Sequence, residues 1–145
     1  MIRKANINDA INISELDSKM FSDSLGFNFI KNDLENNDLA HYFVYEIDNK
    51  IIGYINCWVS DNTEILNFCV LDEYQNQGIG SKLYYAVEKV SKGIISLEVR
   101  ETNLNAINFY LNRGFHKVAI RKNYYSNGDD AILMVKRFER NFKVR

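Results

Sequence analysis

The stretch Val70-Leu71-Asp72-Glu73-Tyr74-Gln75-Asn76-Gln77-Gly78-Ile79-Gly80-Ser81-Lys82 has the residues of an anion cradle: an apolar segment, two closely spaced glycines, then a helical pattern. Glycines there let the backbone approach a ligand, and the first-turn N–H groups of the helix, aided by its dipole, suit a phosphate or pyrophosphate. Asn76, Gln77, Gly78, Ile79, Gly80 and Ser81 are therefore candidate anion-binding positions. A Walker A loop requires Gly-Lys-Ser/Thr, and Gly80-Ser81-Lys82 inverts that order. A dinucleotide fingerprint requires a third glycine where Leu83 stands, although Glu98 falls roughly 20 residues on, where such folds place a ribose-binding acid. A tight turn that holds no ligand is the plain alternative for two glycines alone.

Other reactive side chains are sparse. Cys57, Cys69, His41 and His116 show no zinc spacing, so no metal is expected, and the thiols suit small buried apolar groups better than nucleophiles. Glu98 ends an apolar run and could be a strand-end carboxylate paired with Arg100 or Lys82. Tyr110 falls at helical spacing with Ile107 and Leu111, as a core aromatic would. Asn103 suits a helix N-cap.

The elements that must position these residues follow from the periodicity. Asp9 is the expected N-cap of a helix carrying Ala10, Ile13, Leu16 and Met20, and Phe27 to Asn36 fits a second helix. Tyr42 to Ile47 and Ile51 to Val59, joined by Asp48-Asn49-Lys50, read as a hairpin, followed by a strand from Glu64 to Leu71. A helix over Gly78 to Lys92 is stopped by Gly93, and Ile94 to Val99 runs largely apolar, which predicts a central strand. A short helix over Asn103 to Arg113 and closing strands at Phe115 to Arg121 and Ala131 to Arg137 complete the chain. The order β-α-α-β-β-β-α-β-α-β-β predicts an α+β fold: a mixed, mainly antiparallel sheet with helices on both faces.

At 145 residues, 46% hydrophobic and 26% charged, the chain suits a single globular domain over residues 1–145, and not a disordered or fibrous one. No apolar run reaches the ~18 residues of a membrane span, no signal peptide is expected behind the charged start, and two cysteines make no disulfide framework. These features predict a cytoplasmic protein with no membrane partner. The net charge of −1 conceals an asymmetry: residues 1–75 hold 5 Lys/Arg against 13 Asp/Glu, and residues 76–145 hold 13 against 6. The basic half, which contains the glycine turn, suits an anionic ligand, and the acidic half a basic partner. The tail from Lys136 to Arg145 alternates charge with aromatics and reads as a solvated strand, with no direct nucleic-acid binding expected.

Gln75-x-x-Gly78-x-Gly80 between strand and helix resembles the coenzyme-A loop of the GNAT acyl-CoA N-acyltransferases. Leu97-Glu98-Val99-Arg100-x-x-Asn103-x-x-Ala106-Ile107-x-x-Tyr110-x-x-x-Gly114-Phe115 resembles the second half of that family. Arg121-x-Asn123-Tyr124-Tyr125-x-x-x-x-Asp130-Ala131-x-x-Met134 is similar to its RimI-type branch, which acetylates ribosomal-protein N-terminal alanines. The resemblance as a whole covers about residues 40–137, and loosely the N-terminal helices.

The resemblance implies acetyl-CoA as co-substrate and Asn76 to Ser81 as its pyrophosphate loop. It implies backbone contacts from Phe68, Cys69 and Val70 to the pantetheine arm and thioester, and Asn103 against the coenzyme. It further implies Glu98 as general base, Tyr110 as general acid, and Tyr124 and Tyr125 as holders of the acceptor. The expected acceptor is a basic protein N-terminus, such as that of a small-subunit ribosomal protein. A lysine, a small amine, or coenzyme-A binding without turnover are the other readings. The RimI-type branch carries Pro-Trp-Ser after its first helix; this chain has Phe21 to Phe27 there and no proline.

Overall fold

Asp48 and Asn49 both adopt positive φ, at 50° and 64°, the left-handed pair that a two-residue hairpin turn requires. That turn sets the register Ile47↔Lys50 and joins β2 (Ala40–Ile47) to β3 (Lys50–Val59), the first of several expected elements recovered within a residue or two. The computed structural model describes residues 1–137, so all but the first two residues of the Lys136–Arg145 tail lie outside the described residues. Those residues divide into two compact units: positions 1–59 with 65–90, and 60–64 with 91 onward.

The first unit orders its strands β1-β2-β3-β4, with β1 at Ile2–Lys4 and β4 at Thr63–Val70, and the β1–β2 and β2–β3 pairings are antiparallel. β3 is buried along nearly its whole length, and its alternation shows what covers it. A Cβ at Gly53 would meet Leu83 of α3 (Ile79–Val90), whereas the neighbouring Tyr54 hydroxyl reaches Asp17 of α1 (Ala10–Met20). Successive strand residues point to opposite faces, so α1 and α3 cover opposite faces of β3, as the expected helices on both faces require. α3 anchors through Ile79, Leu83, Tyr84 and Val87.

Asp9 is the N-cap residue of α1, as expected, but its side chain makes no capping bond to that helix. Asn6 caps the 3-10 turn before it: its side chain accepts from Asn8 N–H at 2.9 Å. Asp9 Oδ2 instead reaches back to Asn6 N–H at 2.8 Å, because a 3-10 turn over Ile7–Asp9 precedes the helix and places Asp9 at the far side of a capping box. Arg3 binds both oxygens of Asp9 at 2.8 and 2.9 Å.

Two buried carboxylates tie the helices to the strands. Asp17, fully buried, accepts from Tyr54 OH (2.6 Å), Asn67 Nδ2 (2.7 Å) and Leu25 N–H (2.6 Å). Asp33, on α2 (Phe27–Asn36), accepts from Tyr42 OH (2.8 Å), Trp58 Nε1 (2.9 Å) and Asn37 Nδ2 (2.9 Å). A buried charge is tolerated when its lone pairs are filled in this way.

The second unit orders its strands β5-β7-β6, with β5 at Ile94–Arg100, β6 at His116–Arg121 and β7 at Ala131–Arg137, all pairings antiparallel. The apolar run of β5 alternates between its two faces. Ile95, Leu97 and Val99 are buried, while Ser96, Glu98 and Arg100 alternate onto a half-exposed face. α4 (Leu104–Leu111) is capped by Asn103, whose side chain accepts from Ala106 N–H at 3.2 Å, and Gly114, φ 94°, turns the chain three residues past its end. β6 is exposed throughout.

Candidate active site

The glycine loop lies in the first unit, where β4 hands the chain to α3. Phe68 is half-buried and Cys69 and Val70 are buried at the end of β4. Gln75 pins the returning loop: its Nε2 donates to Val70 C=O at 2.9 Å and to Asp72 Oδ1 at 3.2 Å. Beyond it, Asn76 at φ 62° and Gly78 at φ 80° turn the backbone through left-handed conformations, and Gln77 lies exposed between them. The α3 ladder begins with Lys82 N–H to Gly78 C=O at 3.2 Å, so the amides of Ile79, Gly80 and Ser81 precede its first bond. A Cβ built at Gly78 would meet no heavy atom within 4 Å, so the loop is open where a ligand would approach. An exposed turn, first-turn amides and the positive end of a twelve-residue helix fit the pyrophosphate of a coenzyme.

The acid–base candidates lie in the second unit. Glu98 lies on the half-exposed face of β5, and its ion pair is with neither Arg100 nor Lys82, the partners of the alternative reading. Its Oε2 meets Nε of Arg121, the last residue of β6, and the Tyr124 hydroxyl donates to the same carboxylate. That bond pushes the Tyr124 phenol above its ordinary value. Arg100 turns instead to the β6–β7 loop, donating to Asn127 Oδ1 at 2.7 Å and Asp129 Oδ2 at 3.0 Å and lying 4.0 Å from the Tyr125 ring centroid. The Tyr124 and Tyr125 rings meet edge to face at 5.1 Å. Lys82 lies over the Tyr45 ring, 5.9 Å from its centroid.

Tyr110 is 4% exposed and packs edge to face on Phe109 and Phe115, at centroid distances of 5.4 and 5.1 Å. Burial holds its phenol well above the ordinary value, so the ring is both a core member and a firmly protonated donor. Asn103 spends its side-chain oxygen on the α4 cap. The thiols carry no sign of a nucleophile: burial pushes Cys57 to about 12 and raises Cys69 further. Among the described residues, no group of three or more His, Cys, Asp or Glu could hold a metal ion.

The structure thus brings Glu98 and Tyr124 into contact and sets Tyr125 beside them. Sequence reasoning gave no role to Arg121 or to the pinning by Gln75 and Arg100. Each sits inside one of the quoted motifs, but which acid a basic residue chooses depends on strand pairing rather than spacing.

The model of the Acetyltransferase (GNAT) family matches residues 8–115. A candidate ribosomal protein bS18-alanine N-acetyltransferase of Bacillus subtilis is 32% identical over 139 residues, covering 92% of each chain. An N-alpha-acetyltransferase of Sulfurisphaera tokodaii is 30% identical over 151 residues, covering 92% of this chain and 90% of its own. The crystal structure of Ard1 from Thermoplasma volcanium superposes with a TM-score of 0.87 at 25% identity, over 97% of this chain and 98% of that one. No described helix is long and apolar enough to cross a membrane.

Proposed function

Because the chain belongs to the GNAT family of N-acetyltransferases, whose acyl donor is acetyl-CoA, we propose that it acetylates protein N-terminal α-amines, with the N-terminal alanine of a small-subunit ribosomal protein as the specific acceptor. The observation that carries this reading is the Tyr124–Glu98 contact, which couples the loop expected to hold an acceptor to the carboxylate expected to deprotonate it. The relatives named for N-terminal acetylation support the same acceptor class. The family model spans residues of both units, which supports reading residues 1–145 as one domain. We place its work in the cytoplasm, where such acceptors are made.

Acetyl-CoA, when bound, supplies an activated acetyl thioester. In this reading the amides of residues 76–81 hold its pyrophosphate, and the end of β4, from Phe68 to Val70, receives the pantetheine arm and donates to the carbonyl oxygen as charge develops there. Asn103 assists with Nδ2, since its oxygen caps α4. Glu98 takes the proton of the acceptor ammonium, directly or through water. Tyr110 returns a proton to the departing thiolate; its raised value keeps it protonated until that moment. Tyr124 and Tyr125 hold the acceptor's first residues. An α-amine loses its proton at about 7.7–8.0 and a lysine at about 10.4, so a modest carboxylate base suffices for the former.

Turnover against a panel of a free Ala-initiated peptide, its N-blocked lysine-containing form and spermidine tests the reading. The free peptide is expected to give the highest kcat/KM. Equal rates on free and blocked peptides overturn the N-terminal assignment in favour of lysine or small-amine acetylation, and coenzyme binding without any turnover leaves only a coenzyme-A-binding module.

A further inference from the structure

Three cations surround the β6–β7 loop, and two are held by the loop's own acids. Arg100 binds Asn127 and Asp129, and Lys122 binds Asp130 at 3.2 Å. Asp130 also accepts from Asn123 N–H at 2.9 Å, which closes the turn that presents Tyr124. The third cation, Arg121, does not bind the loop. It leaves an exposed edge strand to meet Glu98, with a side chain 57% exposed against 19% for the carboxylate.

We propose that Arg121 is a displaceable counter-ion of Glu98 that sets how tightly an acceptor amine must bind. Resting on the reading of Glu98 as the base, this makes Arg121 a stand-in for the acceptor: its guanidinium occupies the carboxylate that the incoming ammonium must reach. Binding is then a cation exchange. The ammonium replaces the guanidinium, which swings into solvent still protonated. Glu98 next accepts one proton from the ammonium. The freed nitrogen lone pair forms the N–C bond to the acetyl carbon, the nitrogen of that adduct gives up its second proton to solvent, the C–S bond breaks, and the thiolate takes a proton from Tyr110, which regains one from solvent.

The geometry favours exchange over permanence. The loop stays closed without Arg121, because Arg100, Lys122 and Asn123 hold it. Tyr124 meets Glu98 through its own hydroxyl and does not depend on Arg121 for that contact. A partly exposed ion pair is weak enough to open at little cost. Acceptors that bring a cation and supplementary contacts to Tyr124 and Tyr125 displace it; weakly held amines do not.

Acetylation kinetics on the amine panel, at saturating acetyl-CoA, test this. Arg121→Gln is expected to lower the acceptor KM about threefold to fivefold, the worth of an exposed ion pair, with a smaller change in kcat. Arg121→Lys, which keeps the charge, should return KM towards wild type. In a Glu98→Gln background, calorimetry of peptide binding with coenzyme A present should show no effect of Arg121→Gln, since no carboxylate remains to compete for. A KM that is unchanged or raised in Arg121→Gln overturns the inference. An equal affinity change in the Glu98→Gln background also overturns it, by assigning Arg121 a merely structural role. The substitution is read on whichever amine is turned over, so failure of the N-terminal peptide alone sinks the acceptor assignment and not the exchange. No turnover of any amine overturns both.

Discussion

Two tyrosines assigned to the chemistry sit in opposite surroundings, and each surrounding suits its role. Tyr110 is buried among Phe109 and Phe115, where desolvation keeps the phenol protonated. Tyr124 is half exposed and donates to Glu98, which leaves its ring face open to a peptide. Glu98→Gln is expected to lower kcat about 10²-fold or more, with partial recovery at high pH as the amine deprotonates without help. Tyr110→Phe should lower kcat too. Gly78→Val should do the reverse of Glu98→Gln and abolish coenzyme binding, because a β-branched residue is strained at φ 80° and fills the open approach. Calorimetry with acetyl-CoA separates the two, and a folded Gly78→Val that binds normally removes the loop assignment. At this scale the sequence singled out Glu98, Tyr110 and Tyr124 but not their partners. Glu98 and Arg100 share a strand face, yet Arg100 is drawn off by Asp129, and the cation that meets Glu98 comes from 23 positions downstream.

At the scale of elements, periodicity placed every helix and strand that the glycine loop and Glu98 depend on, because each has one buried face and a turn residue at its end. α2 and β7 fall on the expected boundaries, and α4 is capped by Asn103 as its chemistry demands. What escaped was tertiary. The apolar run marked β5 as a strand but not which of its side chains face outward, and it is the alternation along β5 that leaves Glu98 half exposed. At the entry to α1 the 3-10 turn over Ile7–Asp9, with its Asn6 cap, escaped for a local reason: it leaves the apolar pattern unaltered. That entry carries its own prediction. Arg3, and then the Asn6 amide, hold the Asp9 carboxyl below the ordinary carboxylate range. A group lowered on folding stabilises the protein fully above its unfolded value, about 3.9, and loses that contribution as pH falls through the folded value. Asp9→Asn should therefore cost about 1–2 kcal/mol at pH 7, with the gap to wild type closing in acid. Urea unfolding of both proteins at pH 7 and about pH 3 measures it, and a gap that persists in acid contradicts the role given to the ion pair.

At the scale of the molecule, the charge asymmetry of the sequence persists when mapped onto the two units. The first unit holds 7 Lys/Arg against 12 Asp/Glu, so it remains acidic although the glycine loop opens a helix within it. Its anion-binding capacity therefore rests on backbone amides and a helix dipole rather than on net charge, which the division of the chain into sequence halves could not reveal. Part of that acidity is already spent: Asp17 and Asp33 are buried and hydrogen-bonded, and Asp9 and Glu46 pair with Arg3. The rest, including Glu15, Glu35 and Asp38, produces a field that should draw a basic acceptor. For a basic acceptor, choice of substrate and association rate would then share one origin. At saturating acetyl-CoA, which removes the coenzyme's own salt dependence from the rate, kcat/KM for an Ala-initiated peptide rich in Lys and Arg should fall as ionic strength rises. The Debye length shrinks from about 10 Å at 0.1 M to about 3 Å at 1 M, enough to erase attraction between groups that do not touch. A neutral Ala-initiated peptide should show a much flatter dependence, while both keep their preference over N-blocked forms, because that preference depends on contact with Tyr124 and Glu98. Parallel salt profiles for the basic and neutral peptides would remove long-range attraction from acceptor choice and leave it wholly to the β6–β7 loop.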